Sequence, residues 1–265
     1  MQKTKNVKVQ AAMRFQILVK GVPFFIFARG MPVFLRNYSL IKKQVRESGG
    51  EFPLGKMHPC VADRYEQSAV VSEHYFYQDF LVAQRVFQNR PLKHVDVGSR
   101  IDGFVAHVAI FREIEVLDIR NLTINIPNIR FRRADIMDDR FPLRDYCDSV
   151  SCLHALEHFG LGRYGDPVDY HGHIKGLKNM AGMRTAGGKL YLSVPIGEQR
   201  IEFDAHRVFS IRYLLGLLEN QFRLDAFSYI DDARMLFPDV PLEEEAVLNN
   251  FDCHYGCGIF ELSER

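Results

Sequence analysis

Hydrophobic positions change period several times along this chain, and the changes divide it. Between Val61 and Asn89 the run YEQSAVVSEHYFYQDFLVAQRVFQ places apolar residues at helical spacing. It predicts one long amphipathic helix or two short ones, ended by Arg90-Pro91. Beyond that boundary HVDVG, EIEVLDI, IRFRRAD, CDSVSCLH and KLYLSVPI read as strands, with helical or turn material between most of them. Such alternation predicts an α/β fold, a mostly parallel sheet with helices on both faces. Residues 171–183 form a helical pattern that stops at Gly187-Gly188, and RVFSIRYLLGLLENQ predicts a second helix from Arg207 to Gln221. FRLDAFSYI and CGIFELSE then close the sheet around an acidic insertion at 231–252. Ahead of all this, residues 1–60 are a basic, aromatic extension of helices and turns, and 61–265 are the α/β domain.

Charge changes the picture only locally. The net charge is +1, yet residues 1–48 carry ten Lys/Arg and one acid while the remainder is acidic. With Phe24, Phe25, Phe27, Phe34 and Tyr38 interleaved, that arm suits an anionic membrane surface or a phosphorylated glycan, with nucleic acid the less favoured partner. The alternative is a solvated face of packing helices. The longest apolar run, Gly21 to Ala28, is shorter than a membrane span, and Arg14, Lys20 and Arg29 interrupt any signal-peptide pattern. Five cysteines, an odd number without a pairing pattern, suit reduced thiols in the cytoplasm. The expected location is therefore cytoplasmic or peripheral to a membrane.

The chemistry concentrates at strand ends. HVDVGS is an apolar strand closing in Asp96 and breaking at Gly98, and a second strand closes in Asp118 about twenty residues later. A glycine there lets backbone approach a ligand, and the later carboxylate suits a ribose diol. A dinucleotide would need a second glycine where Arg100 stands, and a P-loop would need Lys-Ser or Lys-Thr after Gly103, which Phe104 replaces. The remaining cofactor class has ribose and adenine without phosphate.

On these residues the chain resembles the class I S-adenosylmethionine-dependent methyltransferases, which have a Rossmann-like, mostly parallel seven-stranded sheet. The resemblance implies S-adenosyl-L-methionine as cofactor. Asp96, Gly98 and Ser99 match the family's first turn, and Asp118 with Ile119 its ribose-binding acid. Asp135 and Ile136 correspond to its adenine-side residues, and His154 follows its fourth strand. A tighter resemblance covers Leu153 to Leu215: LEHFGLGRYGDP, GGKLYLSVPIG and FDAHRVFS look like the uncharacterised family known as domain of unknown function 268. It supports the fold and implies no reaction.

In an open parallel sheet the loops at 154–166 and 195–207 overhang the ligand crevice. Methyl transfer to a hydroxyl needs an aligned nucleophile and a proton acceptor. His158 and His206 are the candidate bases, Glu157 an orienting carboxylate, and Arg163 a clamp for an anionic group. Tyr164, Asp166 and Arg207 are candidate substrate contacts, and Tyr75, Gln78 and Asp79 candidates beside the cofactor. The bland readings are a core helix for the last three, and for GLGRYGDP a rigid turn capped by Asp166. HALEH also fits the H-x-x-E-H of zinc peptidases, but it begins where a strand ends, so no metal is expected. The predicted activity is O-methylation of a sugar, glycan intermediate or related small metabolite. The alternative is a non-catalytic methyltransferase-like module tethered to a membrane or glycan-assembly partner by its basic N-terminus.

Overall fold

The computed structural model describes residues 24–48, 52, 54–61, 73–123 and 125–265. The chain divides into two compact units at Val70-Val71. Within the first, helix α1 (Phe24–Glu47) runs close to Val61, because a Cβ on Gly30 would fall 2.5 Å from the Val61 carbonyl oxygen.

The second unit is built on one sheet. Strands β1 (His94–Val97), β2 (Ile114–Asp118), β3 (Ile129–Arg133), β4 (Cys147–Leu153) and β5 (Arg184–Ile196) pair in parallel in the order 3-2-1-4-5. Downstream lie β6 (Arg200–Glu202), β7 (His206–Val208), β8 (Phe222–Ile230), β9 (Leu236–Phe237) and β10 (Gly256–Glu264). Strand β10 lies antiparallel between β5 and β8. The expected seven strands are present, and an eighth, the two-residue β9, comes from the 231–252 insertion and extends the edge beyond β8. Strands β6 and β7 form a separate hairpin.

Every residue of β1 is buried, so the strand that carries the first turn is clamped from both faces. On one face α2 (Glu73–Asn89) sets Val82, Ala83 and Val86 against Phe104, Val105, Val108 and Val116. On the other, α4 (Gly172–Met183) sets Leu177, Met180 and Met183 against Val150, Leu190 and Leu192. Each such buried side chain contributes roughly 1.5–3 kcal/mol of apolar burial. After β1 the chain makes a tight π turn over Ile101–Val105 and a short α3 (Ala106–Ala109).

One helix start and one strand start differ from the pattern. The helix expected from Arg207 starts at Ile211: α5 (Ile211–Leu218) is capped by Ser210, whose Oγ accepts from the Tyr213 amide. Arg207 stands in β7 instead, because its neighbours pair with Arg200–Glu202. The helix expected over 171–183 forms and ends at Met183, but the strand expected near Lys189 begins at Arg184, so Gly187-Gly188 lies inside β5, where pairing with β4 slips at Cys147/Ser149. Among the described residues no helix is long and apolar enough to cross a membrane.

Candidate functional site

Strand order reverses at β1, which has β2 on one side and β4 on the other, so a crevice opens at their carboxyl ends. A cavity lies there, about 880 Å³ of non-atom space when its open mouth is counted.

One wall is made of strand ends. The Gly98 amide donates to the Leu117 carbonyl at 2.9 Å, which seats the turn after β1 beside Asp118. Gly98 has φ +73°, and a Cβ there would come within 3.0 Å of the Ala155 Cβ, so the turn requires glycine. Asp118, Ile119, Asp135 and Ile136 line the same wall. Asp135 spends one oxygen on the Met137 amide at 2.9 Å.

Asp96 and Ser99 do not face the cavity. Asp96 is wholly buried, and its carboxylate accepts from Ser99 N at 3.0 Å, Ser99 Oγ at 2.6 Å and Ser151 Oγ at 2.6 Å. Burial pushes its pKa up to about 6, against those three donors. Their expected cofactor contacts are thus replaced by an internal network that shapes the turn. His94 extends it: Nε2–H donates to Ser151 Oγ at 3.1 Å while Nδ1 accepts from Ser149 Oγ at 2.7 Å. Burial lowers the His94 pKa to about 3.

The opposite wall is the loop after β4. His154 ends that strand with φ +49°, a conformation that costs a non-glycine residue roughly 1–3 kcal/mol. Its ring lines the cavity, 5.1 Å from that of Tyr75. Its Nδ1 donates to Glu157 Oε1 at 2.9 Å. Burial opposes the His154 cation, but Cys257 and the Glu157 carboxylate outweigh it and raise the pKa well above the usual imidazole value. Glu157 is buried beneath the loop, where His154 overcomes desolvation and lowers its pKa. His158 differs. Its Nδ1–H donates to the Ala205 carbonyl at 2.7 Å, which leaves the lone pair on Nε2. Burial lowers its pKa, with the nearby Glu157 opposing. Two imidazoles on one wall are therefore pushed in opposite directions, one toward a charged pair and the other toward a neutral base.

Tyr164 and Asp166 also line the cavity. Asp166 Oδ2 accepts from the Gly160 and Gly162 amides at 2.8 and 3.1 Å, and Oδ1 from Tyr164 N at 3.1 Å, so it holds the loop's shape. Arg163, Arg207 and His206 stand outside. Arg163 donates to the Ala205 carbonyl at 2.9 Å. Arg207 is buried and spent on four carbonyls, those of Glu157, Phe159, Asp169 and Tyr170, which staple β7 to the loop. His206 lies 3.1 Å from Glu202 and packs against Tyr255. Position therefore argues against the substrate contact expected of Arg207 and the base expected of His206.

Sequence reasoning missed Arg120. Its guanidinium meets Asp118 in a two-pronged pair, at 3.0 and 2.6 Å, and lies 4.3 Å over the Tyr164 ring. Tyr164 in turn packs edge-on against His158 at 5.3 Å. A basic residue two positions after the strand-ending acid was the available signal. Arg100, at the second-glycine position, folds away onto Asp102 at 3.0–3.1 Å, while still lining the cavity. Gln78 and Asp79 are buried supports: Gln78 accepts from Ser193 Oγ at 2.5 Å, and Asp79 fills the space a Gly103 Cβ would need. Among the described residues no cluster of His, Cys, Asp and Glu is arranged to hold a metal ion.

None of the curated proteins matches the sequence significantly. Among solved structures, the chain is similar to a Burkholderia thailandensis 1,6-didemethyltoxoflavin-N1-methyltransferase bound to 1,6-didemethyltoxoflavin and S-adenosylhomocysteine. The two share 11% identity and a TM-score of 0.50, over 71% of this chain and 78% of that one. The N-methyltransferase NodS from Bradyrhizobium japonicum WM9 aligns at 12% identity and TM-score 0.49, over 78% and 91%. The [4+2]-cyclase SpnF aligns at 12% and 0.49, over 71% and 80%. The fold is that of the class I methyltransferases, with the strand order described above. Residues 113–238, which contain the Leu153 to Leu215 stretch, match the family described as Caenorhabditis protein of unknown function, DUF268.

Proposed function

We propose that the protein is an S-adenosylmethionine-dependent methyltransferase acting on an oxygen nucleophile, a hydroxyl of a sugar, glycan intermediate or related small metabolite. The observation that carries this reading is that Gly98, Asp118 and Asp135, at the ends of three strands, and His158, in the loop after a fourth, line one cavity. The residues present fit the cofactor, with one adjustment. Gly98 leaves room for backbone approach, Asp118 suits the ribose hydroxyls once Arg120 withdraws, and Asp135 with Ile136 suits adenine. When bound, S-adenosylmethionine supplies a methyl carbon already activated by positive sulfur. The chain's own part is to align the acceptor and take its proton on His158 Nε2, while Glu157 stays charged beside His154. Tyr75 and Phe159, on the cavity wall, exclude water.

Titration calorimetry with S-adenosylmethionine and S-adenosylhomocysteine tests the reading. Both are expected to bind, and Asp118→Ala to weaken them at least about tenfold, the loss of charged hydrogen bonds worth about 1.5–3 kcal/mol. No heat at about millimolar ligand, with Asp118→Ala indistinguishable, would sink it. The Arg120–Asp118 pair favours a second reading, a methyltransferase-like module without turnover, since the chain itself occupies its ribose-binding acid. Incubation of extracts with methyl-labelled cofactor separates the two: a labelled ether product supports the enzyme, and binding without any labelled product supports the module.

A further inference from the structure

We infer that α1 is a docking surface for an anionic lipid bilayer, lying in the plane of the interface. Met31, Phe34, Tyr38, Ile41 and Val45 recur at spacings of three and four and so share one stripe of the helix. Arg36 and Lys43, seven apart, lie on the opposite side, with Arg46 at its flank and Lys42 beside the apolar stripe. Between Phe24 and Glu47 the helix carries five basic residues against the single acid Glu47. Among its described residues only Gly30 is buried. Of the stripe Ile41 is exposed and the other four residues are half-buried, while Leu35 and Leu40, outside it, are exposed, as are Phe52, Leu54 and Met57 in the same unit. Exposed apolar residues on a basic helix are the pattern that binds membrane interfaces, because acyl chains take the apolar side and anionic headgroups the cations. A nucleic acid or phosphorylated glycan would satisfy only the cations and leave Leu35, Leu40 and Ile41 in water, so charge and exposed apolar side chains together select the bilayer. This inference is independent of the methyltransferase reading.

The test is co-flotation of the full chain with vesicles of phosphatidylcholine alone, and of phosphatidylcholine with about 30 mol% phosphatidylserine, at roughly 0.1 M and 0.5 M salt. Binding is expected to the anionic vesicles, at least about tenfold stronger than to the neutral ones, and weaker at the higher salt. Lys42→Glu with Lys43→Glu should cost at least about tenfold, from roughly fivefold per surface charge. Leu40→Glu with Ile41→Glu should cost as much while circular dichroism stays unchanged; the charge variant keeps the test decisive should this one misfold. Absence of flotation on either vesicle, equal flotation on both, or a stable dimer without flotation that Ile41→Glu dissociates would overturn the inference, the last by giving the stripe to a second copy.

Discussion

The two walls of the cavity are built from different materials. On one, Gly98, Asp118 and Asp135 sit at the ends of strands whose positions the sheet ladder fixes, so sequence spacing alone locates them. On the other, the loop from His154 to Asp166 is equally rich in polar residues, yet most of them serve the loop. Asp166 binds three amides, Arg207 binds four carbonyls and Glu157 is buried beside His154. A loop without a ladder must satisfy its own backbone, and its polar side chains are recruited to do so. Polar density therefore goes with cavity lining on the first wall and largely with holding the fold on the second, where His158 still lines the cavity.

The sharpest way to break this contrast is to exchange the two candidate bases. With methyl transfer as the assay, His158→Gln is expected to lower kcat by about 10²–10⁴-fold, the usual worth of a positioned base, and His206→Gln to leave it within about twofold. Equal losses would erase the distinction drawn from position. The acid limb of kcat should lie below the ordinary imidazole value of about 6.5, because burial lowers the His158 pKa and the base is lost only as pH falls through that lowered value. A limb above 6.5 would contradict the assignment.

Next in size is the staple. Arg207→Met should reduce unfolding free energy by about 3 kcal/mol in urea titrations, since carbonyls buried around the guanidinium lose charged donors. Retained stability with weakened substrate binding would return Arg207 to the role its sequence suggested. The smallest effect is expected at Arg120, whose side chain is half exposed. Arg120→Ala should tighten S-adenosylmethionine binding up to about fivefold, the worth of a surface pair of about 1 kcal/mol or less. Weaker binding would mean that Arg120 holds the ligand itself.

What the sequence made legible follows from the same contrast. The strands β1, β2, β4 and β10 were readable because burial on both faces favours apolar residues along them, and the turn at Gly98 because only glycine fits it. Arg207 was misread as helical because RVFSIRYLLG keeps a helical period through residues that pair with Arg200–Glu202, and a two-stranded hairpin leaves little trace in a period. Asp96 looked like a ligand contact because a strand-ending acid faces the crevice in one register and the core in the next, and side chains alternate. Arg120 was overlooked because its partner is two residues away and needs the turn after β2 to reach it.

The hydroxyl–imidazole–carboxylate chain through β1 and β4 has one more consequence. His94 stands opposite Ser149 and Asp96 opposite Ser151. Sliding β4 by two residues would keep its apolar side chains on the proper faces, yet one direction sets Leu153 against Asp96 and removes the Ser151 donor, and the other sets Cys147 against His94 and removes its serine partner. One-residue slips would be worse, turning both serines away. Two small alcohols thus act as alignment pins for the central strands, because only the observed alignment gives both His94 and Asp96 a hydroxyl partner from β4.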